Sequence, residues 1–325
     1  YAQFWVSWAQ AEPDSQNKDY KNHMSSYLSA IDKAVDSCVA RGIKAELVFW
    51  HCPAWASVSG KAGPYKPKPG EFPAFAARIA RHFKGRVESY QLHHEANLKS
   101  MLEDGDVNSL ISEMLIPGAK AIRTVYNQSP ARPVLISPGG TSPCEACPVL
   151  DGLNGEGAVA LADYYDRLAS NKELMSRVDA LNLNVSDHLN GYGLMDGLLI
   201  SGVWDHYDLV REKLAEHGHA DKGVMASESW IVWDSSGNAA DVNGDGKTNE
   251  LDAYDKTVTI FGKCLERGLN TMNLPWSDNS SGWSMGLTKR RDPGGIVKSL
   301  NRWKVLPSAD KDADILATKI DIVEK

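Results

Sequence analysis

The sequence predicts an α/β fold, a parallel (β/α)8 barrel whose first strand is not evident in the chain. Short apolar runs alternate with longer amphipathic segments, seven of the former and six of the latter, and no two runs are joined as a tight hairpin; this is the pattern of parallel β/α units. No glycine-rich phosphate turn follows the first run, which weighs against a doubly wound nucleotide-binding sheet. Nearly every run ends in a polar or aromatic cluster. A closed barrel gathers such clusters on the one face where its active sites lie, whereas an open sheet spreads them along an edge.

The elements follow in order. Residues 4–8 form the first strand, and the helix over 20–41 carries Tyr27, Leu28, Ile31, Ala34, Val35 and Cys38 at the three-and-four spacing of one buried stripe, with Gly42 as its left-handed stop. Strands are expected at 46–50, 89–93, 134–137, 180–185, 224–227 and 271–274, and helices at 71–83, 107–126, 158–176, 204–217 and 251–267; Gly218 and Gly268 stop the last two helices. Seven strands are one short of eight. Because Tyr1 already lies in or beside a strand, the missing one is expected upstream, or replaced by residues 315–323. The domain expectation is a catalytic barrel over 1–306 with an insertion at about 234–252, then a C-terminal extension over 307–325. No period of roughly 20–50 residues repeats, so a solenoid is not expected.

Composition narrows the partners. Hydrophobic residues at 42% and charged residues at 24% suit a soluble globular chain with a real core. The net charge of −7 comes without a basic stretch, so nucleic acid is not an expected partner. No window reaches the roughly 18 apolar residues of a membrane span. The chain starts abruptly and strand-like at Tyr1, so any targeting segment, along with a first structural element, is expected to have been removed or left out; separately, the protein is expected to be secreted or extracytoplasmic. Ten Trp against six Phe is an inversion that suits flat platforms for sugar rings, although core packing takes some of them.

Five cysteines do not make a disulfide scaffold. Cys144 and Cys147 are a local disulfide or two free thiols, and Cys38 and Cys264 fall on apolar helix faces as core residues. Cys52 beside His51 invites a Cys-His nucleophile, but neighbours in an extended chain point to opposite sides.

Two carboxylates stand at strand ends: Glu95 follows SYQLHH and Glu228 follows VMAS, 133 residues apart, on what count as the fourth and seventh strands of a complete barrel. Cleaving a glycosidic bond needs one carboxylic acid to protonate the leaving oxygen and a second carboxylate at the anomeric carbon. Taken singly, each is equally a capping or ion-paired surface residue.

Together with their surroundings they resemble a family. Gln91-Leu92-His93-His94-Glu95-Ala96-Asn97 resembles the strand-four acid/base motif of clan A glycoside hydrolases, and Ala226-Ser227-Glu228-Ser229-Trp230 their strand-seven nucleophile motif. Phe4-Trp5-Val6-Ser7-Trp8 with Glu12-Pro13 resembles the second strand of family 39-like members, Cys52-Pro53-Ala54-Trp55-Ala56 the end of their third, and Asn273-Leu274-Pro275-Trp276 the eighth, whose aromatic residue floors the cleaved sugar's subsite. The resemblance implies a TIM barrel acting as a retaining enzyme on a poly- or oligosaccharide, with β-linked sugars the expected substrate. By it Glu95 is the acid/base, Glu228 is the nucleophile and no cofactor takes part in catalysis. His94 departs from the usual Asn that bonds the sugar's 2-hydroxyl. It is similar to the His-Glu pair of family 26 mannanases, which favours a mannose-configured substrate, while Ala96 replaces the usual Pro. Asp187, His188 and Tyr192 are the strand-six candidates near the nucleophile, His188 being taken as a substrate ligand. Trp8, Trp50, Trp230 and Trp276 are the stacking candidates, Trp276 first among them, ahead of Trp303 in its helical pattern. The rival readings are a non-catalytic carbohydrate-binding barrel and a protein-interaction module.

The interaction reading rests on residues 241–252. Asp241, Asn243, Asp245, Lys247 (through its carbonyl), Asn249 and Asp252 occupy positions 1, 3, 5, 7, 9 and 12 of a calcium loop, with Gly246 at position 6. Asp at position 12 resembles the dockerin version. A single copy argues for a structural Ca2+ rather than cohesin binding, and a polar turn with an N-capping Asp is the plainer alternative.

Overall fold

The computed structural model describes residues 2–16, 20, 24–98, 101–102, 106–127, 134–144, 159–185, 192–195, 198–229, 259–260, 262–264, 266–267 and 269. Strand β1 (Ala2–Ser7) runs directly into the short α1 (Trp8–Ala11); then follow α2 (Ser26–Val39), β2 (Ala45–Trp50), α3 (Glu71–His82) and β3 (Val87–Gln91). Next come α4 (Val107–Ser109), a π-helical segment Leu110–Leu115, α5 (Ile116–Asn127), β4 (Leu135–Ser137), α6 (Leu161–Ser170) and α7 (Lys172–Met175). Strand β5 (Ala180–Val185), a hairpin of β6 (Tyr192–Met195) and β7 (Leu198–Ser201), α8 (Val203–Glu216) and β8 (Gly223–Ser229) complete the order.

β1, β2, β3 and β4 pair in parallel in that sequence, and β5 pairs in parallel with β8. Asp179, just before β5, bridges the two sets: its N–H donates to the Ile136 carbonyl at 2.8 Å, and its carboxylate accepts the Ile136 N–H at 2.7 Å. The Gln3 amide reaches from β1 to the Ser227 carbonyl on β8 at 2.9 Å. Side chains alternate along the strands as the pleat requires. Phe4 and Val6 of β1 join the apolar layer beneath the helices, as do Leu47 and Phe49 of β2, while Gln3 and Glu46 meet on the opposite face. Helix α2 buries Leu28, Ile31 and Val35, the predicted stripe, and Ser25 caps it by accepting the Leu28 N–H. Among the described residues no helix is long and apolar enough to cross a membrane.

Four expectations change. The helix predicted as one piece over 107–126 is interrupted by the π-helical segment, where the Ile116 N–H reaches back five residues to Ile111. Pro117 follows immediately; its ring leaves no N–H for the ladder and crowds the carbonyl four residues back, so the helix is wound wider just ahead of it. Between β5 and α8 lies a tight antiparallel hairpin where the sequence led us to expect none. Cys38 is half-buried rather than core, whereas Cys264 is buried as expected.

Trp8 is the fourth. Read as a strand-end sugar platform, it is only 2% exposed, stacks on Phe75 at 4.9 Å between ring centres, and donates its indole N–H to Glu12 at 2.9 Å. Trp8 is therefore corrected to a core residue. Its partner Glu12 is fully buried, accepts the Tyr20 hydroxyl at 2.6 Å, and is gripped by both Nε and Nη2 of Arg78 at 2.7 Å each. That fork satisfies a carboxylate that would otherwise be costly to bury, and it pins α1 to α3.

The strand expected at 271–274, most of the helix at 251–267, the calcium loop and the extension over 307–325 lie outside the described residues.

Candidate active site

The site forms where β3, β4, β5 and β8 end on one face. Beyond β3, Leu92 is still tied to β4 through the Ser137 carbonyl at 3.0 Å, and the chain then turns sharply through His93, His94 and Glu95. Glu95 adopts φ +45°, a left-handed conformation that costs a residue with a Cβ about 1–3 kcal/mol. The neighbouring loop holds it there: the Glu95 N–H donates to the Gly140 carbonyl at 2.7 Å, and Asn97 clasps Ser142 reciprocally, Nδ2 to carbonyl and N–H to Oδ1, each at 2.9 Å.

That loop passes so close that two glycines are obligatory. A Cβ on Gly139, whose φ is +123°, would stand 1.9 Å from the His93 carbonyl oxygen. One on Gly140 would stand 2.2 Å from Ser227 Oγ and 2.3 Å from Asn184 Oδ1.

Asn184, fully buried on β5, donates its amide to Glu95 Oε1 at 2.9 Å. It is also the register partner of Glu228 across the β5–β8 pair, because a bulge beside Leu183 and Asn184 skips Ser227 on β8. Bulges of this kind re-aim side chains next to active sites. One residue thus ties the Glu95 side chain to the strand position opposite Glu228.

His94 lies between the two carboxylates, its Nε2 3.5 Å from Glu95 Oε2 and 3.7 Å from Glu228 Oε2; these are charge-pair distances rather than tight hydrogen bonds. Burial works against a charge on His94, but the attraction of Glu95 and then of Glu228 outweighs it and holds the imidazole pKa above its ordinary value. One nitrogen of His94 and one oxygen from each carboxylate all fall within 4.8 Å of one another. His93 behaves oppositely: buried, with Nδ1 at 2.9 Å from the His94 carbonyl, it is pushed by desolvation down to about 4 and stays neutral.

The structure brings Glu95, Glu228 and His94 together. Trp5, quoted in the first-strand motif but not among the stacking candidates, stacks obliquely on His94 with ring centres 4.1 Å apart. Trp50 stands edge-on to Trp5 at 5.1 Å and carries His51 on its own face at 3.7 Å, so part of its platform is already covered. His51 shares with Glu95 a positive φ, at +53°. Beside it Cys52 is buried and its thiol is pushed up to about 12, so the Cys-His nucleophile has no thiolate to use. Behind Asn184, Thr141 hydrogen-bonds both the Tyr165 hydroxyl and His206. His206 is itself pushed down to about 3 by burial. Trp230, Trp276, Asp187 and His188 lie outside the described residues, as do all the proposed calcium ligands and Cys147. Tyr192 opens β6.

No protein-family profile matches the chain. No curated protein matches it either. Its architecture is similar to that of a family 39 glycoside hydrolase from the gut symbiont Bacteroides cellulosilyticus WH2, with a TM-score of 0.54 at 14% identity over 88% of this chain and 54% of that one. It is also similar to the GH1 β-glucosidase from Exiguobacterium antarcticum B7, with a TM-score of 0.57 at 15% identity over 98% of this chain and 83% of that one. SrfJ from Salmonella typhimurium is a third, with a TM-score of 0.54 at 11% identity, covering 93% and 64%. The chain thus spans about half the length of the family 39 protein. Identities this low speak for architecture alone. The chain has the α/β fold of the TIM barrels on which clan A glycoside hydrolases are built.

Proposed function

We propose that the chain is a retaining glycoside hydrolase that cleaves β-linked poly- or oligosaccharides, with Glu95 as acid/base and Glu228 as nucleophile. The observation that carries this reading is the approach of the two carboxylates around His94, within 4.8 Å at their nearest ligand-capable oxygens. A retaining pair stands roughly 5–5.5 Å apart, whereas an inverting pair leaves roughly 6.5–9.5 Å for a water.

In the first step a carboxylate oxygen of Glu228 bonds to the anomeric carbon as the glycosidic C–O bond breaks, and Glu95 gives its proton to the leaving oxygen. In the second, water attacks that carbon, Glu95 takes the water's proton, and the bond to Glu228 breaks. Asn184 fixes Oε1 of Glu95, which leaves Oε2 to carry the proton. The charge of Glu228 is lost in the glycosyl-enzyme intermediate. Trp5 and His94 present an aromatic and a donor surface to the sugar, His94 toward the 2-hydroxyl.

Offered aryl and polymeric β-mannosides, β-xylosides, β-glucosides and β-galactosides, the enzyme is expected to release the β-anomer first, read by proton NMR before mutarotation. First release of the α-anomer defeats the retaining mechanism. No release from any substrate returns the chain to a carbohydrate-binding barrel without turnover.

On sequence alone we also propose an extracytoplasmic setting and one structural Ca2+ held by Asp241, Asn243, Asp245, Lys247, Asn249 and Asp252. Such an ion contributes about 2.7 kcal/mol at a hundred times its dissociation constant. EDTA is expected to lower the melting temperature and added Ca2+ to restore it; an unchanged melt removes the site.

A further inference from the structure

Beneath the two carboxylates, Glu46 of β2 is only 1% exposed and accepts hydrogen bonds from Ser89 Oγ to Oε1 at 2.7 Å, and from Gln3 Nε2 and Gln91 Nε2 to Oε2 at 3.0 and 2.9 Å. The orientation of both glutamines is fixed by partners that can only donate. The Trp5 indole N–H donates to Gln3 Oε1 at 3.2 Å, and the Gly140 N–H to Gln91 Oε1 at 3.4 Å. Both NH2 groups must therefore face Glu46.

From Glu46 the network leads to each half of the site. Through Gln91 it reaches Gly140, whose carbonyl takes the Glu95 N–H at 2.7 Å and supports the left-handed turn there. Through Gln3 it reaches the Ser227 carbonyl at 2.9 Å, one peptide before Glu228. The same Gln3 amide holds Trp5 in place against His94.

We propose that Glu46 is a positioning residue, an anchor on the barrel floor that sets the spacing of Glu95 and Glu228. The proposal rests on the glycosidase reading above. Its function is geometric: a fully accepting carboxylate satisfies two inward-turned amides and a hydroxyl at once. Glu46→Gln retains most of this template, because an amide oxygen can occupy the Oε2 position while its NH2 turns to Ser89, whose hydroxyl can accept. Glu46→Leu removes it.

The test compares kcat and KM per folded molecule, the folded fraction being read by circular dichroism, for wild type, Glu46→Gln, Glu46→Leu, Gln91→Leu and Gln3→Leu. Expected are a fall of roughly a hundredfold in kcat for Glu46→Leu, a fall of no more than about tenfold for Glu46→Gln, and KM held within about twofold in both, since a misplacement near 1 Å alone costs about that much in rate. Gln91→Leu and Gln3→Leu each cut one arm and are expected to lower kcat in the same way; they carry the test if Glu46→Leu does not fold. Wild-type kcat in folded Glu46→Leu, or in both glutamine variants where that protein does not fold, overturns the proposal, as does a loss confined to KM. Glu228→Gln runs alongside: turnover surviving there defeats the glycosidase reading itself, whereas its loss together with an unaffected Glu46→Leu defeats only the positioning role.

Discussion

Glu228→Gln is expected to lower kcat by roughly 10⁴–10⁶, the range that follows loss of a covalent nucleophile in other hydrolases. The substitution is nearly isosteric and Glu228 is partly open, 17% exposed at its side chain, so the melting temperature should stay close to that of wild type. Glu95→Gln should cost roughly 10²–10⁴, the usual worth of a general acid–base, and less with aryl leaving groups that need no proton. Azide separates the two roles by stereochemistry. With Glu228→Ala it enters the vacated face directly and should give the α-glycosyl azide; with Glu95→Ala it intercepts the glycosyl-enzyme and should give the β-azide. The same azide anomer from both variants would remove the assignment of roles, and full activity in Glu228→Gln would remove the reaction.

Much of this arrangement is legible in the sequence because strand ends are. Residues 180–185 were expected as a strand and form β5 over the same span, and Glu95, His94 and Glu228 stand just at or past the ends of apolar runs. What escapes is whatever depends on register. Trp5 lies inside β1, and only the alternation that sends Val6 to the helices and Gln3 inward turns it toward His94; an eye drawn to the strand end selects Trp8 instead. Asn184 is an ordinary polar residue in a strand until the bulge sets it opposite Glu228. The hairpin has a local signal in the sequence, Asp196-Gly197 between apolar pairs on either side, a dipeptide strongly favoured in two-residue hairpin turns, and the β/α rhythm around it masks that signal. Glu46 gives no sign at all in sequence, since a charged residue in an apolar run reads as a strand's solvent face until Gln3, Ser89 and Gln91 converge on it.

Gly140→Ala should produce a large loss of function without touching any reacting atom. Its new methyl would sit 2.2 Å from Ser227 Oγ, 2.9 Å from Ser227 Cβ and 2.3 Å from Asn184 Oδ1, so something must move, and everything near it belongs to the site. Displacing Ser227 shifts Glu228, one residue on; displacing Asn184 releases Glu95 Oε1; displacing Gly140 itself loosens the Glu95 N–H and the arm to Gln91. Any of these moves one carboxylate relative to the other, and about 1 Å of error is worth roughly a hundredfold in rate. Overpacking should add roughly 1–3 kcal/mol of destabilisation. Gly42→Ala is the control: with φ +71° and open space around its would-be Cβ, it should cost about 1–2 kcal/mol of backbone strain and leave kcat alone. If the two variants lose stability alike and Gly140→Ala keeps wild-type kcat, the close approach at Gly140 is packing only. A loss of kcat confined to Gly140→Ala means that a single glycine, where four strand ends meet, holds the two carboxylates at working distance.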